Sequence, residues 1–253
     1  MPRPVVEISY PEHRFGGFGR YDGTVHFYSR VNALLGRKSV ILDVGCGRGA
    51  HDEDDCDYRR SLRNMRSADR TVIGIDVDPA GEENLSLDDF RLIKDVNHWP
   101  VEDASVDMVL ADYVLEHVGK PDQFFREMCR VLKPGGCFCA RTPNAFGYVV
   151  FFSRLIPNRL HAKVLRVAQE NREEKDVFPT VYRCNTKSKL RRFLDQRGFI
   201  HAIYRTEHEP AYMSFSRIVY RIFAVIHRLL PTPLQSTLLV FSRKADPGVE
   251  KSD

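Results

Sequence analysis

The segment Asp43-Val44-Gly45-Cys46-Gly47-Arg48-Gly49 sets a carboxylate ahead of glycines at every second position. Glycines so spaced let a turn take positive φ and bring its backbone against a ligand with no Cβ between them. Asp43 ends the apolar run Val40-Ile41-Leu42, where it repels a phosphate but can orient or pair with a cationic group. In the dinucleotide fingerprint G-x-G-x-x-G the last glycine packs a helix on the strand, and the helix N-terminus takes a pyrophosphate. The D-x-G-x-G-x-G spacing here lacks that interval. His117, in Val114-Leu115-Glu116-His117-Val118, is the candidate general base, because a neutral imidazole titrates near physiological pH. A histidine in a turn entering a helix is also commonly structural, and both roles stay open for it. His208 and Tyr182 have only residue type and location in their favour.

Short strands must carry these residues to one place. Apolar runs bounded by turn residues predict strands at Val40–Val44, Val72–Asp76, Arg91–Ile93, Met108–Ala111, Gly136–Arg141, Ile200–Thr206 and Ser236–Phe241. A helix is predicted over Gly23–Leu35, with further helical segments between the strands. Such alternation predicts an α/β fold with a mostly parallel sheet covered on both faces. In such sheets ligands bind beyond the carboxyl ends of the strands, near the switch in strand order. Asp112, Tyr113, His117, Arg141, Thr142 and Asn144 are expected to face that space.

The ordered set of motifs resembles the class I S-adenosylmethionine-dependent methyltransferases, in particular the small-molecule branch that includes ubiquinone- and menaquinone-type enzymes. Val40 to Gly49 is similar to that family's first motif. Thr71–Pro79 (TVIGIDVDP), Phe90–Pro100 (FRLIKDVNHWP), Ser105–Val118 (SVDMVLADYVLEHV) and Asp122–Asn144 follow in the family's order. The resemblance implies a Rossmann-like sheet of seven strands, mostly parallel, with helices on both faces and an antiparallel last strand. It implies S-adenosylmethionine (SAM) as cofactor, with Asp43, Gly45, Cys46, Gly47 and Gly49 forming its cradle. By the same pattern Asp76 receives the ribose hydroxyls, Val77 follows it, Asp95 and Val96 flank the adenine, and Asp112 adjoins the cofactor. The implied reaction is methyl transfer to an oxygen or nitrogen of a small molecule, lipid or glycan precursor.

Five segments follow from this organisation: residues 1–38 as an N-terminal helix with Gly16–Thr24 as either a lid or a plain loop; 39–144 as the SAM-binding core; 145–185 as a substrate-selecting insertion; 186–244 as completion of the sheet; and 245–253 as a disordered tail. The stretch Ala50–Arg70 departs from the family pattern by its length and its acidic then basic clusters. Asp52–Asp55 lacks the internal glycine of a hard-cation loop, so it is expected to cap a late-starting helix and no metal is expected.

The formal net charge of +4 is modest and no long basic tract occurs, so nucleic acid is not an expected partner. The six cysteines contain no C-x-x-C pair, and the first ten residues have no apolar signal region, which points to free thiols and a cytoplasmic protein. From Met213 to Leu230, apolar residues recur at helical spacing and Arg217, Arg221 and Arg228 fall on another face. Such a helix either packs on the sheet with its arginines in water, the favoured expectation, or lies peripherally on a membrane. Two other function classes remain in view: a non-catalytic nucleoside-binding regulator, and an NAD-dependent oxidoreductase, which Asp43 and the glycine spacing disfavour.

Overall fold

The structure is a computed structural model, and it describes residues 5–148, 150, 179–210, 213 and 215–246. The strands are β1 (Val40–Val44), β2 (Thr71–Asp76), β3 (Asp89–Leu92), β4 (Val106–Asp112), β5 (Leu132–Pro143), β6 (Phe199–Thr206) and β7 (Thr237–Lys244). They form one seven-stranded sheet in the order β3-β2-β1-β4-β5-β7-β6. β7 is antiparallel to both of its neighbours, and the remaining pairs are parallel. The predicted fold class is therefore observed, down to the inserted antiparallel last strand. β5 begins four residues earlier than expected because Leu132 already pairs with Val106, ahead of a register shift.

The helices among the described residues include α1 (Val5–Ser9), α2 (Gly23–Leu34), α3 (Asp57–Arg63), α4 (Pro121–Val131), α5 (Lys187–Asp195) and α6 (Arg217–Leu229). Strand alternation sorts the core into two layers. Leu42, Val109 and Phe138 join Phe125 and Met128 of α4 and Leu190 and Leu194 of α5 on one face. Ile41, Met108, Leu110, Cys137 and Cys139 join Phe27, Tyr28 and Val31 of α2 on the other. Helix α2 starts where expected because the Asp22 carboxylate accepts from the backbone N–H of Thr24 and Val25, each at 2.9 Å. As expected, the helix after β1 starts late: a 3-10 turn at Ala50–Glu53 precedes α3, and Asp54 accepts from the Cys56 N–H while ion-pairing with Arg59.

The basic amphipathic helix does not pack on the sheet. α6 buries Tyr220, Ala224 and His227, and Tyr220 and Ala224 cluster with Tyr10 and, around it, Val5 and Val6 of α1. Its apolar residues span more than one face, so a single buried contact cannot cover them all. Most of the predicted insertion, 151–178, lies outside the described residues, and so does the predicted tail from residue 247 onward.

Candidate active site

The alternation that sorts the core also builds the site. The rows facing α2 run Ile41 to Asp43 on β1, Val72 to Asp76 on β2, Leu110 to Asp112 on β4 and Cys139 to Arg141 on β5. Each row is apolar until its carboxyl end and then turns charged. Three carboxylates thereby converge beyond the sheet's carboxyl edge, beside the glycine loop.

The loop has the geometry its spacing predicts, with φ of 68°, 53° and 80° at Gly45, Gly47 and Gly49. The reasons differ by position. A Cβ on Gly45 would lie 2.6 Å from Val114, and one on Gly49 would lie 2.7 Å from the Asn84 amide oxygen, whereas one on Gly47 would meet nothing within 4 Å. Gly47 is thus the open face of the turn. The Asp76 carboxylate accepts from the Gly47 N–H at 2.9 Å and from the Asp78 N–H at 3.0 Å, tying the ends of β1 and β2 together. Asn84 braces the loop from below, its amide donating to the Cys46 and Gly47 carbonyls at 3.0 and 3.2 Å. Nothing in the sequence pattern singles out Asn84. Burial, reinforced by Asp43 and Asp76, pushes the Cys46 thiol up, so it stays protonated and inert.

Asp43 makes no hydrogen bond or ion pair among the described residues. Burial first, then the Asp112 and Asp76 carboxylates, push its pKa up to about 7 against the opposing Arg63. A carboxylate held this way gains from a cationic ligand group. Asp112 behaves differently: burial works to raise it, but the Arg141 guanidinium grips it and the net shift is downward. Arg141 also donates to the Thr24 hydroxyl at 3.3 Å, and the Tyr28 hydroxyl donates to Asp112 at 3.0 Å. The Tyr113 ring lies 4.8 Å from the same guanidinium, with its backbone at φ 57°, a left-handed conformation costly for a tyrosine. Tyr28 and Thr24 are site residues that motif reading did not single out: Tyr28 lay within a predicted helix and Thr24 ended the Gly16–Thr24 stretch.

Val77 follows β2 directly and Val96 lies beyond the end of β3, and the two are 51% and 53% exposed. Asp95 lies between them in sequence and is exposed, accepting from the Asn97 N–H and side-chain amide at 2.9 and 2.6 Å. His117 follows β4, and its Nδ1 lies 3.0 Å from the Pro179 carbonyl oxygen. A carbonyl only accepts, so Nδ1 carries the proton and the basic lone pair of the neutral ring sits on Nε2. Thr142 donates to Glu116 at 2.9 Å and accepts from Asn185 at 2.6 Å, while Asn144 donates to the Pro233 and Gln235 carbonyls; these two brace the strand ends.

A cavity of about 590 Å³ opens beside this edge, lined by the start of α2, the end of β6 and the last residues of α6. Tyr10, Phe18 and Tyr21 supply its aromatic wall and His26, His208 and Arg205 its polar one. Burial, then Arg141, His26 and His227, push His208 down to about 3, so its ring is neutral. Its Nε2 and the Glu209 Oε1 are buried without hydrogen-bond partners among the described residues. Gly23 lies so close under this ring that a Cβ there would be 2.6 Å from it. The stretch Gly16–Thr24 contributes Phe18, Gly19, Arg20, Tyr21 and Asp22 to the cavity wall.

Residues 42–140 match the methyltransferase domain family. A protein of Mycolicibacterium smegmatis named as a probable S-adenosylmethionine-dependent methyltransferase is 37% identical over 109 residues, which is 41% of this chain and 38% of that relative's length. A demethylmenaquinone methyltransferase of Staphylococcus aureus is 27% identical over 205 residues, 71% of this chain and 83% of the relative. A SAM-dependent methyltransferase from Aquifex aeolicus shares the fold with a TM-score of 0.51 at 15% identity, over 95% of this chain and 97% of that one. The residues present suit the family's cofactor: an open glycine face at Gly47, a carboxylate at the end of β2, and a carboxylate, Asp43, without a cationic partner of its own. Residues 42–140 thus carry a methyltransferase domain, similar in sequence to S-adenosylmethionine-dependent methyltransferases.

Proposed function

We propose that this chain transfers a methyl group from SAM to an oxygen or nitrogen of a small, partly apolar acceptor held in the cavity between α2, β6 and α6. The observation that carries this reading is continuity. Arg141 grips Asp112 in the carboxylate cluster and reaches Thr24 at the start of α2, while the adjoining Gly23 floors the His208 ring in the cavity. The aromatic and polar lining suits a ring-bearing or lipid-like acceptor. The Staphylococcus aureus relative, whose name carries a quinone, points to the same class.

When bound, SAM supplies an electrophilic methyl on a positive sulfur. The chain's residues hold and align. The proposed cofactor contacts are the cradle Gly45, Cys46, Gly47 and Gly49, Asp76 for the ribose, and Val77, Asp95 and Val96 around the adenine. Asp43 offsets the cofactor's positive charge, and Asp112, held by Arg141, adjoins the cofactor. Orientation of the acceptor against the methyl carbon contributes several kcal/mol to such a reaction. His117, its tautomer set by the Pro179 carbonyl, lies past β4 and outside the cavity lining, so it is proposed to take the proton of an acceptor that reaches from the cavity to the end of β4.

The test is transfer of labelled methyl to a panel of phenols, quinols, amines and lipid-linked sugars by the purified chain. Expected are transfer to one acceptor class and its loss in Asp76→Ala. Folded protein that binds neither SAM nor S-adenosylhomocysteine would overturn the reading.

A further inference from the structure

We infer that the outward face of α6 docks the protein on an anionic lipid surface. Among its apolar residues, Ile218, Ile222, Val225 and Leu229 recur at intervals of one turn and are 73%, 53%, 54% and 76% exposed. Phe215, just before the helix, is 57% exposed. The opposite face, Tyr220, Ala224 and His227, is buried, so the stripe is not the face that holds the helix to the protein.

Charge identifies the occupant. Arg217 and Arg221 are exposed, lie one turn apart along the edge of the apolar stripe, and make no ion pair or hydrogen bond among the described residues. With Arg14 they line a cavity of about 480 Å³, in which Glu7 is already paired with Arg14. An apolar stripe edged by unpaired arginines over a cationic hollow matches acyl chains edged by lipid phosphates. A bilayer surface complements the arginines and the stripe at once, with phosphates for the first and acyl chains for the second. No helix among the described residues is long and apolar enough to cross a membrane, so the contact is interfacial.

Docking would hold the proposed acceptor cavity about one helix diameter from the lipid, because His227 and Arg228 on the same helix line that cavity. This consequence for the acceptor rests on the proposed function, whereas the docking itself does not.

The test is flotation of the full chain with vesicles of phosphatidylcholine alone or mixed with phosphatidylglycerol, alongside SAM titration of every variant. Binding to the anionic vesicles is expected, weak or absent on the neutral ones and reduced by added salt. At about 1 kcal/mol per arginine, the double variant Arg217→Ala, Arg221→Ala should lose roughly 30-fold in vesicle affinity. Ile222→Glu with Leu229→Glu should lose at least about tenfold, since it removes the buried apolar area. Both substitutions sit on exposed positions, so SAM affinity should be unchanged in each. Failure to bind anionic vesicles by protein that still binds SAM overturns the inference and leaves the methyltransferase reading standing. A dimer in sedimentation that Ile222→Glu dissolves, or strong hydrogen-exchange protection of α6 without vesicles, also overturns it, in favour of a second copy or of residues 151–178 as the cover.

Discussion

Asp112 and Arg141 stand opposite one another at the carboxyl ends of parallel strands β4 and β5, and the guanidinium donates to both carboxylate oxygens, Nε to Oδ1 and Nη2 to Oδ2, each at 2.7 Å. Arg141 is 3% exposed, so the pair is largely out of water. With Arg63, Arg141 supplies positive charge to a cluster that also holds Asp43 and Asp76.

Replacing Arg141 with Met keeps much of the side chain's volume but leaves Asp112 without its bidentate partner. Removing one member of a buried pair costs about 3–5 kcal/mol, mostly from the charge left behind. Urea denaturation of Arg141→Met should show a loss of that order, and Arg141→Lys should recover only part of it because an ammonium cannot make the two-pronged contact. A loss below about 1 kcal/mol in the Met variant would mean that Asp112 is sustained by other groups.

The strands and the glycine loop were legible because each rests on local pattern: apolar runs, an acidic strand end, and glycines where φ must be positive. The antiparallel last strand was legible only through the resemblance to a known family, and the strand order was not read from the sequence. Asp43, Asp76 and Asp112 were legible for the same reason. The pairing of Asp112 with Arg141 needed the β4–β5 register, which no local pattern supplies. Asn84 and Tyr28 were missed because their roles arise from contacts 37 and 84 residues away in the chain. The outward stripe of α6 was visible as periodicity, but which of its faces would be buried depended on α1 and Tyr10.

Gly47 and Gly45 should fail differently when substituted. Asparagine tolerates the left-handed region, so Gly47→Asn, at φ 53° and with open space around its Cβ, should fold normally and project its amide into the cofactor's approach. Its SAM affinity should drop at least about tenfold in calorimetric titration with little change in stability. Gly45→Ala should instead lose stability, because its Cβ would stand 2.6 Å from Val114. Equal SAM affinity in Gly47→Asn and the parent would place the cofactor elsewhere.

His117 carries two roles that kinetics can separate. If it removes the acceptor's proton, His117→Ala should lower kcat by about 100-fold or more while SAM affinity stays constant. His117→Gln retains a donor that can reach the Pro179 carbonyl but has no basic nitrogen. Turnover as low in the Gln variant as in the Ala variant supports the base. Turnover restored by Gln would make His117 a brace for the chain at Pro179.

Asp43 gives the site a pH dependence of definite sign. In the free protein its carboxyl is pushed up to about 7 by burial and by Asp112 and Asp76, well above an unfolded value near 3.9. The folded state therefore holds a proton that the unfolded chain has released over that interval. The group's contribution to stability is full below about pH 4 and is lost as pH rises through about 7. A cationic cofactor reverses the preference at this position, because it favours the carboxylate over the acid. Binding must then expel a proton below about pH 7, so SAM affinity should rise with pH up to that point, by at most about tenfold per unit, and level off above it. In Asp43→Asn the rise should vanish and the free protein should lose less stability between about pH 4 and 7 than the parent does. Calorimetry across buffers of different ionisation enthalpy reads the released proton directly. An affinity independent of pH from about 5.5 to 7.5 in the parent would show that Asp43 does not face the cofactor's positive charge.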